Sequence, residues 1–199
     1  MAESQGWKEV RAKMWARIKE IEKSIPSYDY SEKHHMMATD ERMTDIVHDE
    51  LRKSKKTLFS ILETSYERQS DSLVKDLKKI RDEIDAFLDR MKVKHVKWPD
   101  SMPEDFLEKI VVHDSEILRE LPRVNSELEE ISRMLVGMDG QDLSDREQLA
   151  RINNKIMETK GRVNGLVHLF RDRELLLNLK NVRKEGEYDE PRHGMETTF

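Results

Sequence analysis

The fold of this chain is decided by residues 107–135, LEKIVVHDSEILRELPRVNSELEEISRML. Apolar side chains recur in this segment at alternating spacings of three and four residues. That spacing places them in one narrow seam along an α-helix, which favours lengthwise packing against another helix as in coiled coils. The seam residues are Leu107, Ile110, Ile117, Leu121, Val124, Leu128, Ile131 and Leu135.

The same spacing recurs in two other segments, residues 73–91 and residues 149–177. The composition agrees with long helices, because 39% of the 199 residues are charged, 36% are hydrophobic, and there are only seven Gly and five Pro. We therefore predict an all-α protein, an elongated antiparallel three- to four-helix bundle with coiled-coil-like packing.

Loops divide the chain into four predicted helices within a single domain that covers residues 1–184. The predicted helices span about 4–24, 40–94, 103–136 and 144–184, and residues 185–199 are expected to form a disordered acidic tail. Pro26 ends the first helix, because the residue before a proline is pushed out of the helical region, and Thr39 or Asp40 caps the second. A slip of the repeat near residues 70–72 predicts a stutter or a break in the second helix.

The predicted lengths indicate how the helices lie against one another. Helices one and three together are about as long as helix two, so we expect both to lie end to end along it. Helix four would then complete the cross-section of the bundle. Pro122 removes one backbone hydrogen bond inside helix three, and we expect it to bend that helix without ending it, because the repeat continues.

Charge is distributed unevenly along the chain, although the net charge is only −5. Residues 99–143 carry four Lys or Arg and twelve Asp or Glu, a net charge of −8, whereas residues 144–184 carry ten and five, a net charge of +5. Two helices of opposite charge joined by a short loop are expected to be antiparallel neighbours held by flanking ion pairs. A basic fourth helix that binds nucleic acid or anionic lipid is the alternative interpretation.

Three polar residues occupy seam positions at which the repeat predicts apolar side chains: Asp114, Thr159 and Arg173. Such residues commonly fix register or oligomeric state at a cost in stability. Around Phe170 and Leu176 the fourth helix is apolar over more than one face, which suits either a partner or two neighbours within one bundle. We assign these five residues to interface or specificity, and the leading hypothesis is a non-enzymatic interaction or scaffolding protein that binds a protein partner or forms a homodimer.

An enzymatic alternative comes from the adjacent His-Asp pairs at residues 48–49 and 113–114. This pattern resembles that of HD-type metal-dependent phosphohydrolases, and the resemblance implies a metal-binding quartet of His48, His113, Asp114 and Asp172, with His34 as another choice for the first ligand. The flanking sequence lacks the glycine usual in that family, and adjacent His and Asp residues are frequent by chance.

Other classes of function are less well supported by the sequence. The absence of Cys excludes thiolate chemistry and Cys-based zinc sites, and we expect no cofactor and no small-molecule substrate. Trp7, Met14 and Trp15 lie among cations in the first helix, as in helices that bind membrane surfaces, which is a third alternative. The first residues lack the apolar core of a secretory signal, so we expect an intracellular, cytoplasmic protein.

Overall fold

The computed structural model describes residues 5–67, 71–91, 98, 102–137 and 143–186, with the side chains of the last range described over 146–177. All secondary structure within these ranges is helical, with six helices and no strand, which confirms the all-α class. The helices are α1 (Gln5–Lys13), α2 (Trp15–Glu22), α3 (Lys33–Glu67), α4 (Asp71–Met91), α5 (Glu104–Val136) and α6 (Leu143–Gly186). None of the described helices is both long enough and apolar enough to cross a membrane.

The first predicted helix is interrupted at Met14, which separates α1 from α2. Met14 has φ −111° and ψ 21°, yet backbone hydrogen bonds from Met14 N to Val10 O and from Ile18 N to Met14 O cross the interruption. The two short helices therefore follow one another closely, and both pack against α5.

The second predicted helix begins earlier than expected, at Lys33 rather than at residue 40. Thr39 and Asp40 are therefore not helix caps, because they lie about two turns inside α3. The preceding turn is closed by Asp29, whose carboxylate accepts hydrogen bonds from the backbone N of Ser31 at 2.7 Å and from the Ser31 hydroxyl at 3.0 Å. This local turn was not recognised from the sequence.

The second predicted helix, over residues 40–94, divides beside the slip of the repeat near residues 70–72, where the sequence predicts a stutter or a break. The segment forms two helices, α3 and α4, that pack against each other, and the residues that join them, 68–70, lie outside the described ranges. Lys55 of α3 pairs with Asp85 of α4 at 2.5 Å, and Lys78 of α4 lies 5.3 Å from the ring centroid of Tyr66. The pairing shows that the helices run in opposite directions, so helices one and three cannot lie end to end along a single rod.

Helix α5 continues through Pro122 as one element, as the uninterrupted repeat predicts. It runs parallel to α3, since Asp114 of α5 and Asp40 of α3 both bind Arg173, and Ser54 donates to Asn125 further along both helices. It runs antiparallel to α6, as shown by the ion pairs of Lys155 with Glu130 and of Arg162 with Glu120. The opposite charges of these two helices therefore meet as the charge pattern predicts.

The described helices share one core. Helix α3 contacts α4 and α5, and α6 contacts the same two helices on their other side, which makes a closed circuit of four pairwise contacts. All the seam residues quoted from residues 107–135 are at most 1% exposed. At the other end of the chain α6 reaches Gly186, two residues into the predicted tail, and residues 187–199 lie outside the described ranges.

Candidate functional site

A fully buried guanidinium joins three helices within the core. Arg173 of α6 is 0% exposed, and its Nε donates a hydrogen bond to Asp114 Oδ1 on α5, which is also 0% exposed. Its Nη1 donates to Asp40 Oδ1 on α3 at 2.6 Å. Two of the three polar seam residues predicted to fix specificity, Asp114 and Arg173, are thus direct partners.

Two buried tyrosines from the segment before α3 complete this arrangement. Tyr28 donates its hydroxyl hydrogen to Asp114 Oδ2 at 2.8 Å, and Tyr30 reaches the same oxygen at 3.3 Å. The Tyr30 hydroxyl also accepts a hydrogen bond from Arg173 Nη2 at 2.7 Å. We name the five residues Tyr28, Tyr30, Asp40, Asp114 and Arg173 the Arg173 cluster.

The segment that carries the tyrosines is fastened to the first turns of α3. The Thr39 hydroxyl donates to the Asp29 carbonyl at 2.9 Å and accepts from the Asp29 N–H at 3.2 Å. Arg42 Nη1 donates to the Pro26 carbonyl at 2.7 Å. Between them Ser27 adopts a left-handed φ of 62°, a conformation that costs an L-residue of the order of 1 kcal/mol. These contacts hold Tyr28 and Tyr30 over Asp114.

Aromatic rings seal the cluster from solvent. The rings of Trp7, Tyr28 and Tyr30 meet at centroid distances between 5.4 and 6.3 Å, within the range of favourable aromatic pairs. Phe170 lies one turn before Arg173 on α6, with its ring centroid 5.8 Å from the guanidinium carbon. The Arg173 cluster is consequently enclosed within the protein core.

Burial and charge act together on the ionisation of the cluster. Burial lowers the pKa of Arg173, but the negative charges of Asp114 and Asp40 outweigh it and hold that pKa well above its ordinary value. Burial raises the pKa of Tyr28 well above 10.0, and the charge of Asp114 raises it further. Burial likewise raises the pKa of Tyr30, although Arg173 opposes the shift. At pH 7 the guanidinium of Arg173 is therefore charged, and the hydroxyls of Tyr28 and Tyr30 are protonated and neutral.

The hydrogen bonds of the Arg173 cluster hold separate parts of the chain together. A charged group in a core is tolerated only when it is paired and hydrogen-bonded, and all three guanidinium nitrogens of Arg173 have a partner. The partners come from α3, α5 and the segment before α3, so the cluster is satisfied only when these parts assemble together with α6. Its side chains present no surface at which a dissolved substrate can bind.

The metal-binding quartet implied by the His-Asp pattern does not form in this fold. Asp114 is held by Arg173, whereas Asp172 on the same helix as Arg173 is exposed. His48 lies eight residues beyond Asp40 on α3, about 12 Å along the helix, and its Nδ1 is 3.7 Å from Asp49. The described residues contain no group of three or more His, Asp or Glu side chains placed to hold a metal ion.

Three further residues of α6 were predicted to determine interface or specificity: Thr159, Phe170 and Leu176. Thr159 is 0% exposed, and its hydroxyl donates to the Lys155 carbonyl of its own helix at 2.9 Å. Phe170 is 2% exposed and packs on Phe87 of α4 with centroids 5.1 Å apart, while Leu176 is half-buried against the core. The wide apolar face of α6 therefore packs against two neighbouring helices, α4 and α5. On α5, His113 lies beside Asp114, and its buried Nδ1 has no hydrogen-bond partner among the described residues.

The ion pairs between α5 and α6 form a second, more exposed polar site. Glu120 accepts hydrogen bonds from Arg162 at 2.5 Å and from Arg123 at 2.9 Å, and Arg162 also donates to Glu127 at 3.0 Å. Burial raises the pKa of Glu120, but the hydrogen bonds from Arg162 and Arg119 outweigh it and bring that pKa below 4.5. These bonds fix the register of α6 on α5.

A cationic groove between α3 and α4 was not predicted from the sequence. It has a volume of about 730 Å³, and five of its seven lining residues are cations: Arg52, Lys53, Lys55, Lys56 and Arg81. Asp49 and Phe59 complete the lining, and the Phe59 ring is 60% exposed. We name this surface the α3–α4 groove. Spacing along α3 places Arg52, Lys56 and Phe59 on one face, but Arg81 joins them only because α4 folds back on α3.

The comparisons with known proteins add no functional information. No family model matches the chain, and neither the curated proteins nor the solved structures gave a match. The interpretation of function therefore depends on the geometry described above.

Proposed function

We propose that this chain is a non-enzymatic interaction or scaffolding protein, a four-helix bundle with coiled-coil-like seams that binds a protein partner or a second copy of itself. The observation that supports the proposal is the α3–α4 groove, where an aromatic ring is exposed among cations on the outside of the helices. Aromatic residues and arginine, both present in this groove, are enriched in protein–protein interfaces relative to the rest of the surface.

The Arg173 cluster gives this proposal a structural basis. Polar groups that are satisfied in only one arrangement of helices disfavour alternative packings, at a cost in stability. We propose that Asp114 and Arg173 determine specificity within the chain, so that the outer surfaces of α3, α4 and α6 are held in fixed positions for a partner.

Photo-crosslinking in the native source tests the proposal. A photoreactive phenylalanine analogue replaces, one at a time, three exposed apolar residues on different surfaces: Phe59, Met157 and Leu175. We expect at least one position to give a discrete crosslinked product that excess unlabelled protein suppresses, and light scattering of the native assembly to exceed the 23.6 kDa of one chain. No crosslink from any position, together with the mass of a single chain, would contradict it.

A further inference from the structure

The charges that line the α3–α4 groove are unequally compensated. Lys53 pairs with Glu50 at 2.5 Å, Lys55 pairs with Asp85 at 2.5 Å, and Arg81 pairs with its neighbour Asp82 at 2.8 Å. Within the described part of the chain, Arg52 and Lys56 form no ion pair. Arg52 and Lys56 are four residues apart, so they lie on one face of α3 as adjacent cations.

An exposed aromatic ring lies beside these two cations. Phe59 follows Lys56 by three residues, within the same face of α3, and it is 60% exposed although most of the chain's large apolar side chains are buried. The groove thus offers an apolar ring and two positive charges with no ion-pair partner among the described residues, in a row of about two helical turns. This combination matches a ligand that carries carboxylates next to an apolar side chain.

On the basis of the proposed interaction function, we propose that the α3–α4 groove binds an acidic segment of a partner protein, with an aromatic or leucine side chain of that segment covering Phe59. The planar guanidinium of Arg52 can donate two parallel hydrogen bonds to one carboxylate. An acidic peptide supplies such carboxylates without a fixed spacing between them. The carboxylates of Asp49, Glu50, Asp82 and Asp85 lie around or near the groove, and the chain as a whole has a net charge of −5. These negative charges repel any anionic ligand. They repel a nucleic acid, with its long and regular row of phosphates, more strongly than a short acidic peptide segment.

The test is a selection of random 12-residue displayed peptides on the full chain, with counter-selection on the double variant Arg52→Glu/Lys56→Glu. We expect the surviving peptides to have a net negative charge and at least one aromatic or leucine residue. Fluorescence anisotropy with the best labelled peptide should then show a Kd that rises about tenfold or more in the double variant, and also in Phe59→Ser. The Kd should also rise with salt concentration.

A matched control separates the groove from the overall charge. The double variant Arg146→Glu/Arg151→Glu changes the net charge equally at two exposed cations of α6, and its Kd should stay within about threefold of that of the parent chain. Circular dichroism confirms that each variant is folded. Equal losses in both double variants, enriched peptides that are not acidic, or tighter binding of a 15-nucleotide single-stranded DNA would overturn the proposal. Crosslinks from Met157 or Leu175 without binding in the groove would leave the interaction function standing while removing this site.

Discussion

Arg173 occupies a seam position of α6 at which the three-and-four spacing predicts an apolar side chain. Its burial is tolerated because Asp114, Asp40 and Tyr30 accept its hydrogen bonds. Removing one member of such a group leaves the others charged and unpaired in a medium of low dielectric constant. The effect of a substitution here therefore depends on what remains in the core as well as on what is removed.

The variant Arg173→Leu tests this dependence. We expect a loss of about 3–5 kcal/mol in the free energy of unfolding, because Asp114 and Asp40 lose the guanidinium. The double variant Arg173→Leu/Asp114→Leu should recover part of that loss, since one uncompensated carboxylate is removed with its partner. Urea unfolding measures both. The control Arg171→Leu, at an exposed position two residues away, should change stability by less than about 0.5 kcal/mol. Equal effects at 171 and 173 would contradict the assignment.

Tyr28 gives a prediction at alkaline pH. Its pKa is raised in the folded protein, mainly by burial, so the unfolded chain releases the proton first. The stability associated with neutral Tyr28 is fully present below about pH 10 and is lost as the pH rises towards the folded pKa. Between pH 10 and pH 11, Tyr28→Phe should therefore reduce the pH slope of the unfolding free energy by up to about 1.4 kcal/mol per unit. Urea unfolding across this interval measures the slope, and a parallel curve for the variant would argue against a buried neutral tyrosine.

The helices show where a local pattern is sufficient and where it is not. The seam of α5 correctly predicts one continuous helix through Pro122, and the opposite charges of α5 and α6 correctly predict their ion pairs. The slip of the repeat near residues 70–72 correctly marks a weak place, but it does not reveal that α4 turns back along α3. A break and a reversal produce the same local pattern, because only contacts between helices distinguish them.

Gly161 and Gly165 provide a test at the level of one helix. Both lie within α6, and apart from the adjoining backbone of α6 itself a Cβ added at either position meets no atom of the described residues within 4 Å. No described residue therefore packs closely on them, and each weakens the helix by about 1 kcal/mol relative to alanine. Gly161→Ala and Gly165→Ala should each raise the unfolding free energy by about that amount in thermal or urea unfolding.

A reverse substitution on the same helix is the control for the two glycines. Ala150 is exposed on α6, so Ala150→Gly should lower the unfolding free energy by about 1 kcal/mol. If Gly161→Ala or Gly165→Ala lowers stability, or changes the mass of the protein in solution, another helix must approach α6 closely at that point. That result would place a partner on this face.

The Arg173 cluster connects parts of the chain that are far apart in sequence. At least one group comes from each of four parts: the segment before α3, α3, α5 and α6. None of these parts satisfies its buried polar atoms alone. We therefore expect these parts to unfold in one cooperative transition rather than separately.

Trp7 provides a probe of this cooperativity, because it is 0% exposed and its ring makes a tilted contact with Tyr28 and an edge-on contact with Tyr30. In the variant Trp15→Phe/Trp98→Phe, the fluorescence of Trp7 reports on α1 and its contact with the two tyrosines, whereas far-ultraviolet circular dichroism reports on all helices. The two transitions in urea should coincide. In Tyr28→Phe/Tyr30→Phe the fluorescence transition should move to lower urea than the circular dichroism transition. Separate transitions in the Trp15→Phe/Trp98→Phe variant, with both tyrosines intact, would show that α1 and the tyrosine segment unfold independently of the other helices.

The sequence by itself determined the all-helical class, the continuous α5, the match of charge between α5 and α6, and the unusual character of Asp114 and Arg173. These features depend on the spacing of residues along one helix or on the sum of charges in a segment, which sequence order contains directly. The tertiary structure alone decided that Asp114 and Arg173 bind each other, that Asp40 and the two tyrosines join them, and that cations on α3 form a groove with α4. Each of these features brings together residues far apart in the chain, and their meeting depends on the direction in which each helix leaves its turn.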